Sequence, residues 1–239
     1  DQRISSINSI SAICEATGAD INEVSLAIGM DNRIGSKFLR SGPGFGGSCF
    51  KKDILNLIYL SNYYGLSIVG EYWEQILRIN DWQQERFSKK VVQKLFGTIA
   101  GKKLSILGFS FKANTNDTRE SPAIKICNSL LEEGANLSIY DPVVRKEQIK
   151  SDLISEFAME GIGENDQSKW EYSENIFNAA TNADALIIIT EWEEFKNLDW
   201  KKLYTLMRKP CWIFDTRNVI DKGLAESCGF KVWALGSNK

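Results

Sequence analysis

Lys103-Leu104-Ser105-Ile106-Leu107-Gly108-Phe109-Ser110-Phe111-Lys112 marks the point in this 239-residue chain where one kind of architecture gives way to another. A short apolar run stops at a glycine. Residues 122–133 then read as a helix, opened by Ser121-Pro122 and closed by Gly134. The alternation continues downstream. Residues 137–140 read as a strand ending at Asp141-Pro142, and 175–181 as a helix. Residues 186–189 are fully apolar, the pattern of a strand buried on both faces. Residues 198–207 read as a helix, 212–214 as a strand ending at Asp215, and 230–233 as the last strand. Strands alternating with helices predict a parallel sheet covered by helices on both faces. Residues 149–170 are polar and read as an irregular excursion. No internal repeat or low-complexity tract is visible.

Upstream of Gly97-Thr98-Ile99-Ala100-Gly101 the apolar patterns are helical. Ile4, Ile7, Ile10 and Ile13 recur every three residues, with Cys14 and Ala16 close by, and Gly18 ends the run. Asp20 caps a second helix carrying Val24, Leu26, Ala27 and Ile28. Residues 53–64 form a third, with Ile54, Leu57, Ile58 and Leu60 on its apolar side, broken by Gly65. A long helix follows over 69–96, bearing Tyr72, Trp73, Ile76, Leu77, Ile79, Phe87, Val91, Val92 and Leu95. At 1.5 Å per residue it spans about 40 Å. A helix of that length, placed before a new strand pattern, connects domains or carries an interface between chains. Its apolar face is expected to be buried between two copies, giving a homodimer or higher homo-oligomer. The fold class is therefore α/β: an all-helical domain with a long connecting helix over residues 1–97, then a Rossmann-like parallel-sheet domain over 98–239.

Between the second and third helices lies Arg40-Ser41-Gly42-Pro43-Gly44-Phe45-Gly46-Gly47-Ser48-Cys49-Phe50-Lys51-Lys52-Asp53. Glycines let the chain turn sharply and let a ligand approach the main chain. A cysteine at the mouth of a helix, beside Lys51 and Lys52, sits where positive potential favours the thiolate. A lone cysteine is more often a small buried hydrophobe, and an acid such as Asp53 in a first helical turn is more often a dipole partner.

Composition narrows the field. Hydrophobic residues make up 43% of the chain and charged residues 25%, the balance of a soluble globular protein. The net charge of -2 predicts neither a nucleic-acid partner nor a membrane surface. No apolar run approaches the roughly 18 residues of a membrane span, and no signal peptide is visible. The five cysteines are scattered without a CxxC pair and there is no histidine, so no metal site is expected. An odd, sparse cysteine count fits a reducing cytoplasm. Without histidine, any base must be Asp, Glu, Lys, Tyr or water.

In open parallel sheets, ligands sit beyond the carboxyl ends of the strands. Lys112 follows the first strand and Arg217 follows the strand at 212–214. Together they could grip one diphosphate, and each alone could be a loop charge. No GxGxxG follows the first strand, so this sheet does not advertise a dinucleotide site.

Gly-Phe-Gly-Gly-Ser-Cys-Phe-x-Lys-Asp at 44–53 closely resembles the nucleophile segment of the UDP-glucose/GDP-mannose dehydrogenase family. Further motifs follow that family's order. Residues 2–10 and 27–35 resemble its central helical domain; residues 108–122 resemble the start of its UDP-binding domain, and Asp215-Thr216-Arg217-Asn218-Val219 its later arginine segment. The match runs from residue 2 to about residue 236.

The resemblance implies roles by position. Cys49 matches the nucleophile and Asp53 the carboxylate that assists water and proton handling. Arg40, Ser41, Gly42, Pro43, Gly44, Phe45 and Gly46 match the loop over the sugar. Phe111, Lys112 and Arg217 match UDP-sugar contacts, and Arg33 matches an arginine that reaches a neighbouring subunit's substrate. Cys49, Phe50, Lys51 and Lys52, with Arg119, match positions near the NAD cofactor. The family pattern usually has Gln where this chain has Lys51. The implied reaction is NAD-dependent oxidation of UDP-glucose to UDP-glucuronate, by two hydride transfers through a cysteine thiohemiacetal and thioester. Two alternatives stand beside it: oxidation of UDP-N-acetyl-mannosamine or GDP-mannose, or a non-catalytic module that binds UDP-sugars and dimerises. The family's amino-terminal NAD fingerprint, and a catalytic lysine and asparagine, fall upstream of the matching start. The chain therefore reads as a middle and C-terminal portion, expected to reduce no NAD+ alone.

Overall fold

The computed structural model describes residues 2–159 and 169–237. Four helices come first: α1 (Gln2–Thr17), α2 (Ile21–Gly29), α3 (Phe50–Tyr63) and α4 (Ser67–Lys94). Then follow β1 (Lys103–Leu107), α5 (Pro122–Glu132), β2 (Asn136–Tyr140), α6 (Lys146–Met159), β3 (Trp170–Tyr172), α7 (Ile176–Ala180) and β4 (Ala185–Ile188). A short 3-10 turn (Glu193–Asn197) precedes α8 (Trp200–Leu206), β5 (Trp212–Asp215), α9 (Lys222–Ser227) and β6 (Lys231–Ala234).

The six strands form one sheet in the order β3-β2-β1-β4-β5-β6, every neighbouring pair parallel. In register, Leu104 stands between Leu137 and Ala185. This is the doubly wound order, with its reversal of winding between β1 and β4. Alternate strand residues feed two cores. Leu104, Ile106, Ile187 and Phe214 pack with α5 on one face. Leu107, Leu186, Ile188 and Ile213 pack with Leu203 of α8 on the other. The α/β expectation holds, with helices on both faces.

The long helix serves both halves of the molecule. Phe87, Val91 and Leu95, at and just beyond its C-terminal end, lie in the sheet core. Phe87 packs on Phe214 and Trp233 at ring separations of 6.3 and 5.7 Å. Its earlier turns pack on α3, where Ile76, Ile54 and Phe45 form a small cluster. The C-terminal end of the chain returns to the helices: Gly236 accepts a hydrogen bond from the Ile21 amide at 3.0 Å and donates one to Glu15 Oε1 at 3.0 Å. Glu15 in turn pairs with Arg86 of α4 at 2.7 Å.

Four local expectations change. The isoleucine stripe of α1 is not its buried face: Ile7 is buried, but Ile13 is 60% exposed. A spacing of three falls short of the 3.6-residue turn, so the stripe drifts half-way round the helix between Ile4 and Ile13. The face that is buried carries Ser5, Ile7, Asn8, Ser11 and Cys14. Helix α3 begins at Phe50 rather than near Asp53, which makes Cys49 its N-cap. The stretch 149–170 begins inside α6 and ends at β3; residues 160–168 lie outside the described residues. Helix α9 is an addition, opened by Asp221, whose side chain accepts from the Leu224 amide.

Candidate functional site

The glycine loop between α2 and α3 is buried from Ser41 to Gly47, although it has no secondary structure of its own. Buried main-chain groups need partners, and side-chain amides supply them. Asn8 Oδ1 accepts from the Gly42 amide at 2.9 Å, and Gln83 Nε2 donates to the Gly42 carbonyl at 3.0 Å. Asn80 takes both main-chain groups of Phe45: its Oδ1 accepts at 2.8 Å and its Nδ2 donates at 3.3 Å. The other side of the loop lies against the sheet end. A Cβ on Gly46 would stand 2.3 Å from the Glu120 carbonyl and 3.0 Å from the Phe111 side chain. One on Gly42 would stand 2.9 Å from Arg217 Nη1. At Gly46, where the neighbour is main chain, only glycine allows such close approach.

The loop ends at Cys49, which is exposed, whereas Cys14, Cys127 and Cys211 are buried and Cys228 is half-buried. The Cys49 Sγ is 3.8 Å from Ser48 Oγ. Cys49 is the N-cap of α3, but its side chain makes no capping hydrogen bond to the first turn. Asp53 is one turn further on: its amide donates to the Cys49 carbonyl at 2.9 Å, and residues four apart share a helix face.

The same first turn meets the loop after β1. Gly47 donates its amide to the Arg119 carbonyl at 2.8 Å, and Lys51 Nζ pairs with Glu120 Oε2 at 2.8 Å. The Arg119 guanidinium is bound two-pronged by Asp117, at 3.0 and 2.7 Å. That carboxylate holds Arg119 above its usual range, and Cys49 adds to the effect through space. Asp117 is correspondingly held below the usual carboxylate range by Arg119. A cleft of about 570 Å³ opens along this seam, lined by Gly46, Gly47, Lys51, Asn80, Glu120 and Lys125 among others.

Beyond the carboxyl ends of β1, β4 and β5 stand Phe111, Lys112 and Arg217. Arg217 Nε donates to the Ile189 carbonyl at 2.7 Å and lies 3.1 Å from Glu191 Oε2. Its Nη2 reaches the Phe111 carbonyl at 3.5 Å. Burial pushes the guanidinium down, and Glu191 and Asp215 oppose that shift. Asp215 is itself buried and accepts from the Arg217, Val219 and Ile220 amides, which shapes the arginine's turn. Desolvation raises the Asp215 carboxyl, and those amides pull it back. Lys112 Nζ lies 5.3 Å from the Phe111 ring centre and is otherwise directed to solvent.

The structure thus packs the loop of Ser41, Gly42, Pro43, Gly44, Phe45 and Gly46 against Phe111 and Arg217, and leads it into Cys49, Phe50 and Lys51 beside the Arg119 loop; Lys52 and Asp53 in the first turn of α3, and Lys112 after β1, are exposed. Arg40 is exposed at the loop's entrance. Arg33 stands apart: it is exposed and bound two-pronged by its neighbour Asp31 at 2.6–3.2 Å. The supporting amides Asn8, Asn80 and Gln83 were not anticipated, because polar residues in a helical pattern read as a solvent face. The one signal in the sequence was the polar stripe Ser5, Asn8, Ser11 running beside Ile7.

A family model described as "UDP-glucose/GDP-mannose dehydrogenase family, central domain" matches residues 1–82. Its companion, described as the UDP binding domain of the same family, matches residues 105–222. The UDP-glucose 6-dehydrogenase of Drosophila melanogaster is 50% identical over 235 residues, covering 98% of this chain and 49% of that protein. UDP-glucose 6-dehydrogenase 1 of Arabidopsis thaliana is 47% identical, covering 98% and 50%. A UDP-glucose dehydrogenase structure from Pyrobaculum islandicum superposes with a TM-score of 0.79 at 27% identity, covering 98% of this chain and 48% of that one. The chain spans about half the length of the curated relatives it matches.

Proposed function

The chain belongs to the UDP-glucose/GDP-mannose dehydrogenase family, and from that premise we propose that it forms the substrate half of an NAD-dependent UDP-glucose 6-dehydrogenase. The observation that carries this reading is the loop itself: one buried glycine segment touches Arg217 at Gly42 and Phe111 at Gly46, then ends at the exposed Cys49. A diphosphate held by Arg217 and Lys112 would lay its sugar along that loop, towards the thiol. The C6 alcohol loses a proton and a hydride to become an aldehyde. The Cys49 sulfur attacks the aldehyde carbon, forming a thiohemiacetal. Loss of a second hydride, with the hydroxyl proton passing to a base or water, leaves a thioester, and water releases the carboxylate and restores the thiol. Asp53, one turn from Cys49, is the group suited to guide that water and its protons.

NAD, when bound, supplies the hydride acceptor for both oxidations. Lys51 and Lys52 follow Cys49 in the first turn of α3, and Arg119 lies in the adjoining loop; Lys51 and Arg119 would meet its negative charge from their pairs with Glu120 and Asp117. The turn after β1 is not a dinucleotide turn, since Phe109, Ser110 and Phe111 follow Gly108. The main NAD-binding unit is therefore assigned to sequence outside this chain, and the chain alone is expected to be inactive. A reducing, cytoplasmic setting suits five free cysteines. Solvent-facing Tyr63, Tyr64, Ile68 and Tyr72 around the α3–α4 turn favour assembly with a second copy.

Alkylation tests the reading. Iodoacetamide should label Cys49 before the other four cysteines, and UDP-glucose should slow that labelling. An absorbance assay run alongside should show no NADH from the chain alone. Equal labelling of all five cysteines would remove Cys49 as nucleophile, and steady NADH production would overturn the placement of the cofactor.

A further inference from the structure

Asp141 follows β2 directly and is buried. Its carboxylate accepts five N–H hydrogen bonds, all from neutral groups. Oδ2 receives the amides of Phe109 and Ser110, at 2.7 and 3.1 Å. It also receives the Trp192 indole N–H at 3.2 Å and lies 3.3 Å from the Ser110 hydroxyl. Oδ1 receives the amides of Val143 and Val144, both at 3.0 Å. One side chain thereby ties together the loops that follow β1, β2 and β4. Ser110 passes the constraint on: its hydroxyl stands 3.0 Å from the Lys112 carbonyl, and its own carbonyl accepts from Thr190 Oγ1 at 2.6 Å. The residues carried at the end of this braced loop are Phe111 and Lys112.

In a doubly wound sheet that binds a dinucleotide, an acid beyond the first strand–turn–helix unit reaches a ribose hydroxyl. Here the acid after β2 is turned inward and saturated by the protein's own donors. We propose that Asp141 is a positioning residue for nucleoside-diphosphate binding. It gives up contact with ligand to fix the turn after β1 in the shape that presents Phe111 and Lys112. This inference rests on the reading that the sheet end binds UDP.

The test is a double-mutant cycle on the full 239-residue chain, with UDP binding read by calorimetry and folding checked by thermal melting. Asp141→Asn turns one acceptor into a donor and should weaken UDP binding about tenfold; Lys112→Ala should do the same. If Asp141 acts through Lys112, the double variant should be no weaker than about tenfold, because the lysine is already misplaced. Multiplication to about a hundredfold would overturn the proposal, since a general loss of stability adds independently of Lys112. Arg217 is held chiefly at the β4 and β5 ends, by Ile189, Glu191 and the Asp215 turn, with one long 3.5 Å contact to Phe111, so Arg217→Ala should multiply with Asp141→Asn; failure to multiply would mean a collapsed site and would also overturn it. Should Asp141→Asn not fold, Ser110→Ala takes its place in the same cycle, because it removes the hydroxyl set between Asp141 and Lys112. UDP binding by the parent chain with no change in Asp141→Asn defeats this proposal alone. No UDP binding by the parent chain defeats the functional reading beneath it as well.

Discussion

The helical half and the sheet half solve the burial problem in opposite ways. The sheet half encloses its apolar residues between two layers of helices, and its central strands β1, β4 and β5 are buried almost throughout. The helical half encloses amides and hydroxyls: Asn8, Ser11 and Gln83 are fully buried, and Asn80 nearly so. Its large apolar residues often face outward, with Ile68 74% and Tyr63 71% exposed. Buried amides are costly unless bonded, and each of these bonds the main chain of the glycine loop, although Asn8 does so through Oδ1 alone and its Nδ2 has no partner. The sheet half is thus organised around its own core, and the helical half around a loop it must hold and a surface it leaves uncovered.

Cutting the tie between the halves should have the largest effect. Phe87 is the α4 residue seated between Phe214 and Trp233 of the sheet. Phe87→Ala should cost about 3–5 kcal/mol, the range for deleting a buried aromatic ring. Chemical denaturation followed by fluorescence measures it. A loss below about 1 kcal/mol would mean that the halves do not depend on this contact.

The amide interior should be next. Asn80→Leu keeps the shape but leaves the Phe45 amide and carbonyl buried without partners, at a cost of about 2–3 kcal/mol. Because the same loop ends at Cys49, the alkylation rate of that thiol should change as well. An altered melting temperature with an unchanged alkylation rate would show that Asn80 supports the helices rather than the loop. On the sheet side, Arg217→Ala should weaken UDP binding by about 1.5–3 kcal/mol while sparing the fold. Unchanged affinity by calorimetry would take Arg217 out of the site.

The same contrast explains what the sequence disclosed. The sheet half announced itself because fully apolar four-residue runs such as Ala185–Ile188 have few alternatives to a buried parallel strand. β3 escaped notice because Trp170–Tyr172 is three residues long and takes its strand form from pairing with β2. In the helical half the motif residues were legible by resemblance, yet their supports were not. Asn8 lies among serines, and Asn80 and Gln83 among charged neighbours; only tertiary contact distinguishes a polar residue that holds a loop from one that meets water. Asp141 was legible as the end of a strand; its five N–H bonds come from three separate loops, which no local pattern predicts.

The smallest expected change in the stability of the single chain carries the most information about the uncovered surface. Tyr63 and Ile68 lie on either side of the α3–α4 turn, near exposed Leu60, Tyr64 and Tyr72. Substituting two exposed side chains removes little buried area within one chain, so Tyr63→Ser with Ile68→Ser should shift its unfolding free energy by no more than about 0.5 kcal/mol per site. Large apolar patches on an otherwise polar surface mark contact sites. If a second copy covers this one, the parent chain should sediment as a dimer at tens of micromolar, and its melting temperature should rise with concentration. The double variant should sediment as a monomer and lose that concentration dependence, while its low-concentration melting temperature stays near that of the parent. A parent chain that is strictly monomeric at those concentrations would remove the second copy as occupant. A double variant that is unstable at every concentration would show instead that these side chains belong to the fold of the single chain.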